Sequence, residues 1–143
     1  MTITAWAALA IIAFAAVFHL HWAFGGRRGF GVSLPQRPGG EPVLSHLLPL
    51  WRPAAFGVAV ALVVLGSLIV AKSLPYRHGI PLDLLNYALG ATSAAFVGRA
   101  LIPNRFVGFF KSLRTTRWAR YDTRLYSPLF LTLGLLLVVL ASS

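Results

Sequence analysis

Residues 104–128 read NRFVGFFKSLRTTRWARYDTRLYSP, and this stretch carries six of the thirteen Lys and Arg residues but one acid, Asp122. It lies between two strongly apolar runs, 82–102 and 126–142. A basic stretch so placed is a loop between membrane-crossing helices, and its charge selects the side of the bilayer on which it stays. The rest of the chain agrees. Its 143 residues are 57% hydrophobic and only 11% charged, with a mean hydropathy of +0.75, too apolar for an ordinary soluble domain. The expected fold is all-α: a polytopic membrane protein, one domain over residues 1–143, with a four-transmembrane-helix bundle and an amphipathic basic cytoplasmic segment between helices 3 and 4.

The four expected spans are about 3–24, 54–71, 82–102 and 126–142. The first has no charged residue and ends at Gly25 and Gly26, which favour leaving a helix. It has no positive n-region, so it reads as an uncleaved helix rather than a signal peptide. Pro53 suits the first turn of the second span, and Pro81 with Asp83 suits the start of the third. Ser127 and Pro128 read as an N-cap and first-turn pair opening the fourth. The strictly apolar part of that last span is short, and it reaches across ~30 Å only if nearly all of Leu125 to Ser143 is helical or the bilayer thins.

Orientation follows from the Lys and Arg count in short loops. Arg27, Arg28, Arg37 and Arg52 belong to the first loop and its edge, and Arg105, Lys111, Arg114, Arg117, Arg120 and Arg124 to the third. Lys72 and Arg77 alone belong to the middle one. The first and third loops therefore face the cytoplasm, both termini lie outside it, and the expected location is a bacterial inner membrane. The net charge of +10 then points to anionic lipid headgroups, not nucleic acid. With no cysteine, disulfides, thiolate metal sites and cysteine nucleophiles are excluded.

On one helix, Phe106, Phe109, Phe110 and Leu113 share a side, but continuing it puts Arg117, Arg120 and Arg124 where the phenylalanines were. A break at Thr115 and Thr116, with a threonine capping the second piece, lets both pieces lie in the interface with aromatics down. Six bases less one acid, at ~1 kcal/mol each near an anionic surface, give a ceiling of about 5 kcal/mol for docking the segment. Arg105, Arg114, Arg117, Arg120 and Arg124 are the candidate lipid contacts. Asp122 reads most simply as a salt-bridge partner, with a proton acceptor or substrate-orienting group as the alternative.

His19 and His21 point about 200° apart on a helix and do not chelate one ion together. The other histidines, His46 and His78, lie in loops, so no haem pair forms at matching depth, and neither a metal nor another cofactor is expected. Arg99 lies near the cytoplasmic end of the third span, where it can snorkel. Depth brings His19, His21, Trp22, Arg99, Lys111, Asp122 and Tyr126 to one leaflet, and these are the candidate ligand-binding residues. The glycines of GGRRGFG follow no strand, which argues against a nucleotide-binding loop.

Two blocks, HLHWAFGG at 19–26 and RFVGFFKSLRTTRWARYDTRLYSPLFL at 105–131, resemble domain-of-unknown-function family 3995, small bacterial membrane proteins. The resemblance implies a four-helix architecture and supplies no catalytic residues.

Three functions fit the residues. The favoured one is a non-enzymatic module that binds anionic lipid or a partner membrane protein at the cytoplasmic face. An integral-membrane enzyme acting on an anionic amphiphile would use Arg99 and Lys111 to hold the anion and a histidine or Asp122 to move a proton. A small oligomeric transporter fits least, because Glu41, Asp83 and Asp122 all lie at boundaries or in loops.

Overall fold

The computed structural model describes residues 1–74 and 79–143. Arg77 and His78 lie outside the described residues. Four long helices dominate: α1 (Ile3–Ala23), α2 (Trp51–Ser73), α3 (Leu82–Leu101) and α5 (Ser127–Ser142). A short helix, α4 (Arg117–Tyr121), leads into a wide π-helical turn, Asp122–Tyr126, which runs directly into α5. No strand occurs among the described residues. The protein is all-α.

α1 pairs with α2 and α3 with α5, and α1 also touches α5. Each pair runs antiparallel: Arg52 at the start of α2 bonds the Ala23 carbonyl at the end of α1, and Arg99 near the end of α3 bonds Ser127 at the start of α5. The core forms where the helices meet, from Ala5, Ala8 and Ile12 of α1, Leu65 and Ile69 of α2, Leu89 of α3, and Leu133 and Leu137 of α5. Small residues set the spacing. A Cβ on Gly134 would stand 2.7 Å from the Val97 side chain and 3.3 Å from the Ser93 carbonyl, so α3 and α5 approach to the limit that glycine permits. Ser93 Oγ uses that closeness to donate to the Gly134 carbonyl at 2.6 Å.

Three helical stretches are long and apolar enough to cross a membrane: Ile3–Ala23, Ser45–Ser73 and Arg117–Ser142. Large apolar side chains such as Phe14, Val17, Val63, Leu135 and Val138 point outward from them. The expected fourth, α3, is a helix but is not among them. Asn86, Ser93 and Arg99 lower its apolar character, and each bonds a neighbour within the protein: Asn86 accepts from Lys72, Ser93 bonds α5 and Arg99 pairs with Asp122.

The last span corrects a second expectation. Ser127 does not cap a new helix: its backbone is helical, and the 26 residues from Arg117 to Ser142 run on without interruption, about 39 Å at 1.5 Å per residue. Pro128 would remove a hydrogen bond and crowd the carbonyl four residues back in a regular α-helix. The π turn that precedes it opens the ladder at that point.

The third correction concerns residues 102–116, which form no helix. Pro103 closes α3, and the side chain of Asn104 accepts from the Phe106 and Val107 amides at 2.8 and 2.7 Å, a side-chain turn that competes with helix. Gly108 then adopts φ +84°, and a Cβ there would lie 2.8 Å from the carbonyl oxygens of Arg99 and Ala100. The loop folds back on the end of α3, with the Phe109 amide donating to the Ala100 carbonyl at 2.8 Å. Of the expected break between two helical pieces only the threonine cap holds: Thr116 is the N-cap of α4 and its side chain accepts from the Ala119 amide at 3.1 Å.

Candidate functional site

Two layers occupy the end of the molecule where α1 and α3 stop and α2 and α5 begin. The inner one is a buried ion cluster. Asp122 and Lys111 are 0% and 1% exposed, and Arg99 is 20% exposed along its side chain. Asp122 Oδ1 accepts from Arg99 Nη2 at 2.5 Å. Its Oδ2 accepts from Lys111 Nζ at 2.9 Å, from the Gly108 amide at 2.9 Å and from Ser127 Oγ at 3.1 Å.

Each cation is held as firmly. Besides Asp122, Lys111 Nζ donates to the Gly108 carbonyl at 2.9 Å and to Thr123 Oγ1 at 2.6 Å, so all three ammonium protons are placed. Arg99 donates to Ser127 Oγ at 3.1 Å, and its guanidinium carbon lies 4.3 Å from the centre of the Phe130 ring. Ser127 reaches Asp122 five residues back because the π turn spaces residues i and i+5 over one another. The cluster therefore joins the end of α3, the 102–116 loop, the π turn and α5 through one carboxylate.

Around the cluster the basic loop is stitched to the first one. The Trp118 amide donates to Gln36 Oε1 at 3.0 Å, and the Trp118 indole donates to the Phe106 carbonyl at 2.9 Å while stacking on Tyr126 at 5.2 Å. Gln36 is buried and bonds the Gly31 carbonyl in turn.

The histidines lie apart from the cluster. His19 Nδ1 is 2.8 Å from the Ala15 carbonyl one turn back, and its ring meets Trp22 edge-on. His21 is exposed, with its ring packed on Gly26, where a Cβ would come within 2.1 Å. Trp22 is buried and donates to the Arg28 carbonyl at 2.8 Å, in a run of aromatic contacts from Phe14 through Phe18 and Phe30 to Trp51. The two glycines after it close α1: the Gly25 amide, at φ +92°, reaches the Trp22 carbonyl and the Gly26 amide the His21 carbonyl, the paired bonds of a Schellman stop. The structure thus brings Arg99, Lys111 and Asp122 together, stacks Tyr126 on Trp118, and leaves His19, His21 and Trp22 on α1. No group of three or more His, Cys, Asp or Glu suited to a metal occurs among the described residues.

The outer layer is a surface of arginines. Arg27, Arg28, Arg37, Arg52, Arg105, Arg114, Arg117, Arg120 and Arg124 are all exposed, while the acid of the third loop is buried beneath them. Both blocks of sequence, 19–26 and 105–131, build this end of the molecule. The chain belongs to the family described as Protein of unknown function (DUF3995). The family profile matches residues 9–137, which takes in both blocks. No curated protein and no solved structure matches the chain. In this DUF3995 chain the longer block supplies every residue of the ion cluster except Arg99, which comes from α3.

Gln36, Gly108, Thr123 and Ser127 belong to the arrangement without having been singled out as site residues in the sequence. Gly108 had a local signal, a glycine interrupting an amphipathic run just after Pro103 and Asn104. Gln36 had none, because its partner is 82 residues away.

Proposed function

We propose that this chain is a multi-pass protein of the bacterial inner membrane in which all four long helices cross the bilayer, with both termini outside the cytoplasm, and that it is a non-enzymatic module binding anionic lipid headgroups through its cytoplasmic face. One observation carries the reading: nine exposed arginines share one end of the molecule with a single exposed acid, Glu41, whereas Asp122 is turned inward and neutralised by Lys111 and Arg99. Burying Asp122 leaves that surface with a large excess of positive charge, which anionic headgroups attract at ~1 kcal/mol per base near the surface. The concentration of arginine at that end also supports its cytoplasmic placement.

The cluster supports a binding module over an enzyme. A residue that holds substrate or moves a proton needs a free donor or acceptor facing a cavity. Lys111 has all three protons bonded within the protein, and both oxygens of Asp122 are engaged. α3 crosses with its polar groups turned to Lys72, Gly134 and Asp122, so its weaker apolar character does not oppose insertion beside α5.

The test is lipid binding by the purified full-length chain in detergent, followed by its melting temperature during titration with phosphatidylglycerol and with phosphatidylcholine. Phosphatidylglycerol is expected to raise the melting temperature more, and the Arg114→Gln, Arg117→Gln, Arg120→Gln triple variant to lose most of that difference. Equal effects of the two lipids on the native chain would remove the proposal.

A further inference from the structure

The five arginines of the third loop are equivalent in sequence but not in the fold. Arg114 donates from Nε to the Lys111 carbonyl at 3.2 Å and from Nη2 to the Phe109 carbonyl at 3.2 Å. Arg105 lies over the Phe106 ring at 5.5 Å. Arg117, Arg120 and Arg124 are exposed, and their side chains make no hydrogen bond, ion pair or ring contact among the described residues.

These three also share a face. At about 100° per residue through α4 and slightly less through the π turn, they fall within about a quarter-turn of one another, and the first and last are about 10 Å apart along the axis. Trp118, Ala119 and Asp122, all buried, occupy the other side of the same helix, so the stripe has no acid on its own face of that helix. Tyr121 and Leu125 are exposed at 46% and 37% and lie along the edge of the stripe, on the way to the apolar face of α5.

We propose that Arg117, Arg120 and Arg124 form a specific site for a lipid that carries two phosphates on one headgroup, with Tyr121 and Leu125 against the start of its acyl chains. The proposal rests on the lipid-binding reading above and narrows it. Three arginines along about 10 Å of one helix face repel one another, and one phosphodiester charge leaves most of that repulsion in place. Two phosphates on one headgroup neutralise more of it, each accepting the paired N–H groups of an arginine fork. The apolar edge beside the stripe and its position on the lipid-crossing helix favour an amphiphile over a soluble diphosphate.

The full-length chain in detergent is titrated with diphosphatidylglycerol, phosphatidylglycerol and phosphatidylcholine at equal total phosphate, with native mass spectrometry as the readout. Diphosphatidylglycerol is expected to bind at least about tenfold more tightly per phosphate than phosphatidylglycerol, and the Arg117→Gln, Arg120→Gln, Arg124→Gln variant to abolish that preference. Arg105→Gln, which changes an arginine already placed over a ring, is expected to keep it. Arg124→Gln alone, expected to weaken diphosphatidylglycerol about fivefold, keeps the test open should the triple variant fail to fold. Equal binding of the two anionic lipids per phosphate, or an equal loss with Arg105→Gln, would overturn the specific site while leaving the general one standing. No preference of either anionic lipid over phosphatidylcholine would overturn both.

Discussion

Lys111 Nζ lies 2.9 Å from Asp122 Oδ2, with both side chains at most 1% exposed. A charge pair so far from solvent recovers the cost of desolvation only when its remaining protons and lone pairs are also bonded, and Gly108, Thr123, Ser127 and Arg99 supply those bonds. The pair brings together residues eleven positions apart and holds the 102–116 loop against the π turn.

Lys111→Met removes one cation and leaves the carboxylate with Arg99. Breaking one side of a buried pair costs about 3–5 kcal/mol, and Arg99 is expected to keep the loss at the lower end. Asp122→Asn strands Lys111 and Arg99 together and is expected to be the more damaging single change. In a double-mutant cycle read by unfolding in detergent, the two changes together should cost less than their sum. Strict additivity would mean that the contact carries no coupling.

Gly108→Ala should destabilise far more than Gly31→Ala. The first places a Cβ 2.8 Å from two backbone carbonyl oxygens at a residue with φ +84°, whereas the second meets nothing within 4 Å. A strained left-handed residue alone costs about 1–3 kcal/mol, and the close approach adds to it. The measurement is the difference in melting temperature between the two variants; equal values would show that the loop moves away from α3 freely.

Gln36→Leu leaves the Trp118 amide without its acceptor inside a buried contact. An unsatisfied buried donor costs about 1–3 kcal/mol, felt where the first loop meets α4. Limited proteolysis is expected to cut within 27–44 faster in this variant than in the native chain, and an unchanged rate would count against the two loops being held together by this bond.

Much of the architecture follows from local composition. Long apolar runs bounded by Gly and Pro give the helices, because their length and composition favour segments whose backbone bonds internally. Gly25 and Gly26 end α1, Pro103 ends α3 and Thr116 starts α4, because each acts on neighbouring peptide groups. Asp122 as an ion-pair partner was equally legible, since one acid among many bases finds a base.

Tertiary structure decided which bases it found and what became of the rest. Periodicity placed Phe106 to Leu113 on a helix, but the turn at Asn104, the left-handed Gly108 and the pull of Asp122 on Lys111 replaced it with a folded loop. Ser127 carries the sequence signature of a cap, yet the π turn aligns it with Asp122 five residues back, and its hydroxyl joins the cluster. Gln36 has no local signature at all. In each case the deciding energy is a hydrogen bond or charge pair made to another part of the chain, and in a buried site that outweighs the few tenths of a kcal/mol by which local propensities differ. The same distinction separates Arg117, Arg120 and Arg124 from Arg105 and Arg114: sequence supplies five like charges, and only the fold determines which of them are engaged by the described residues.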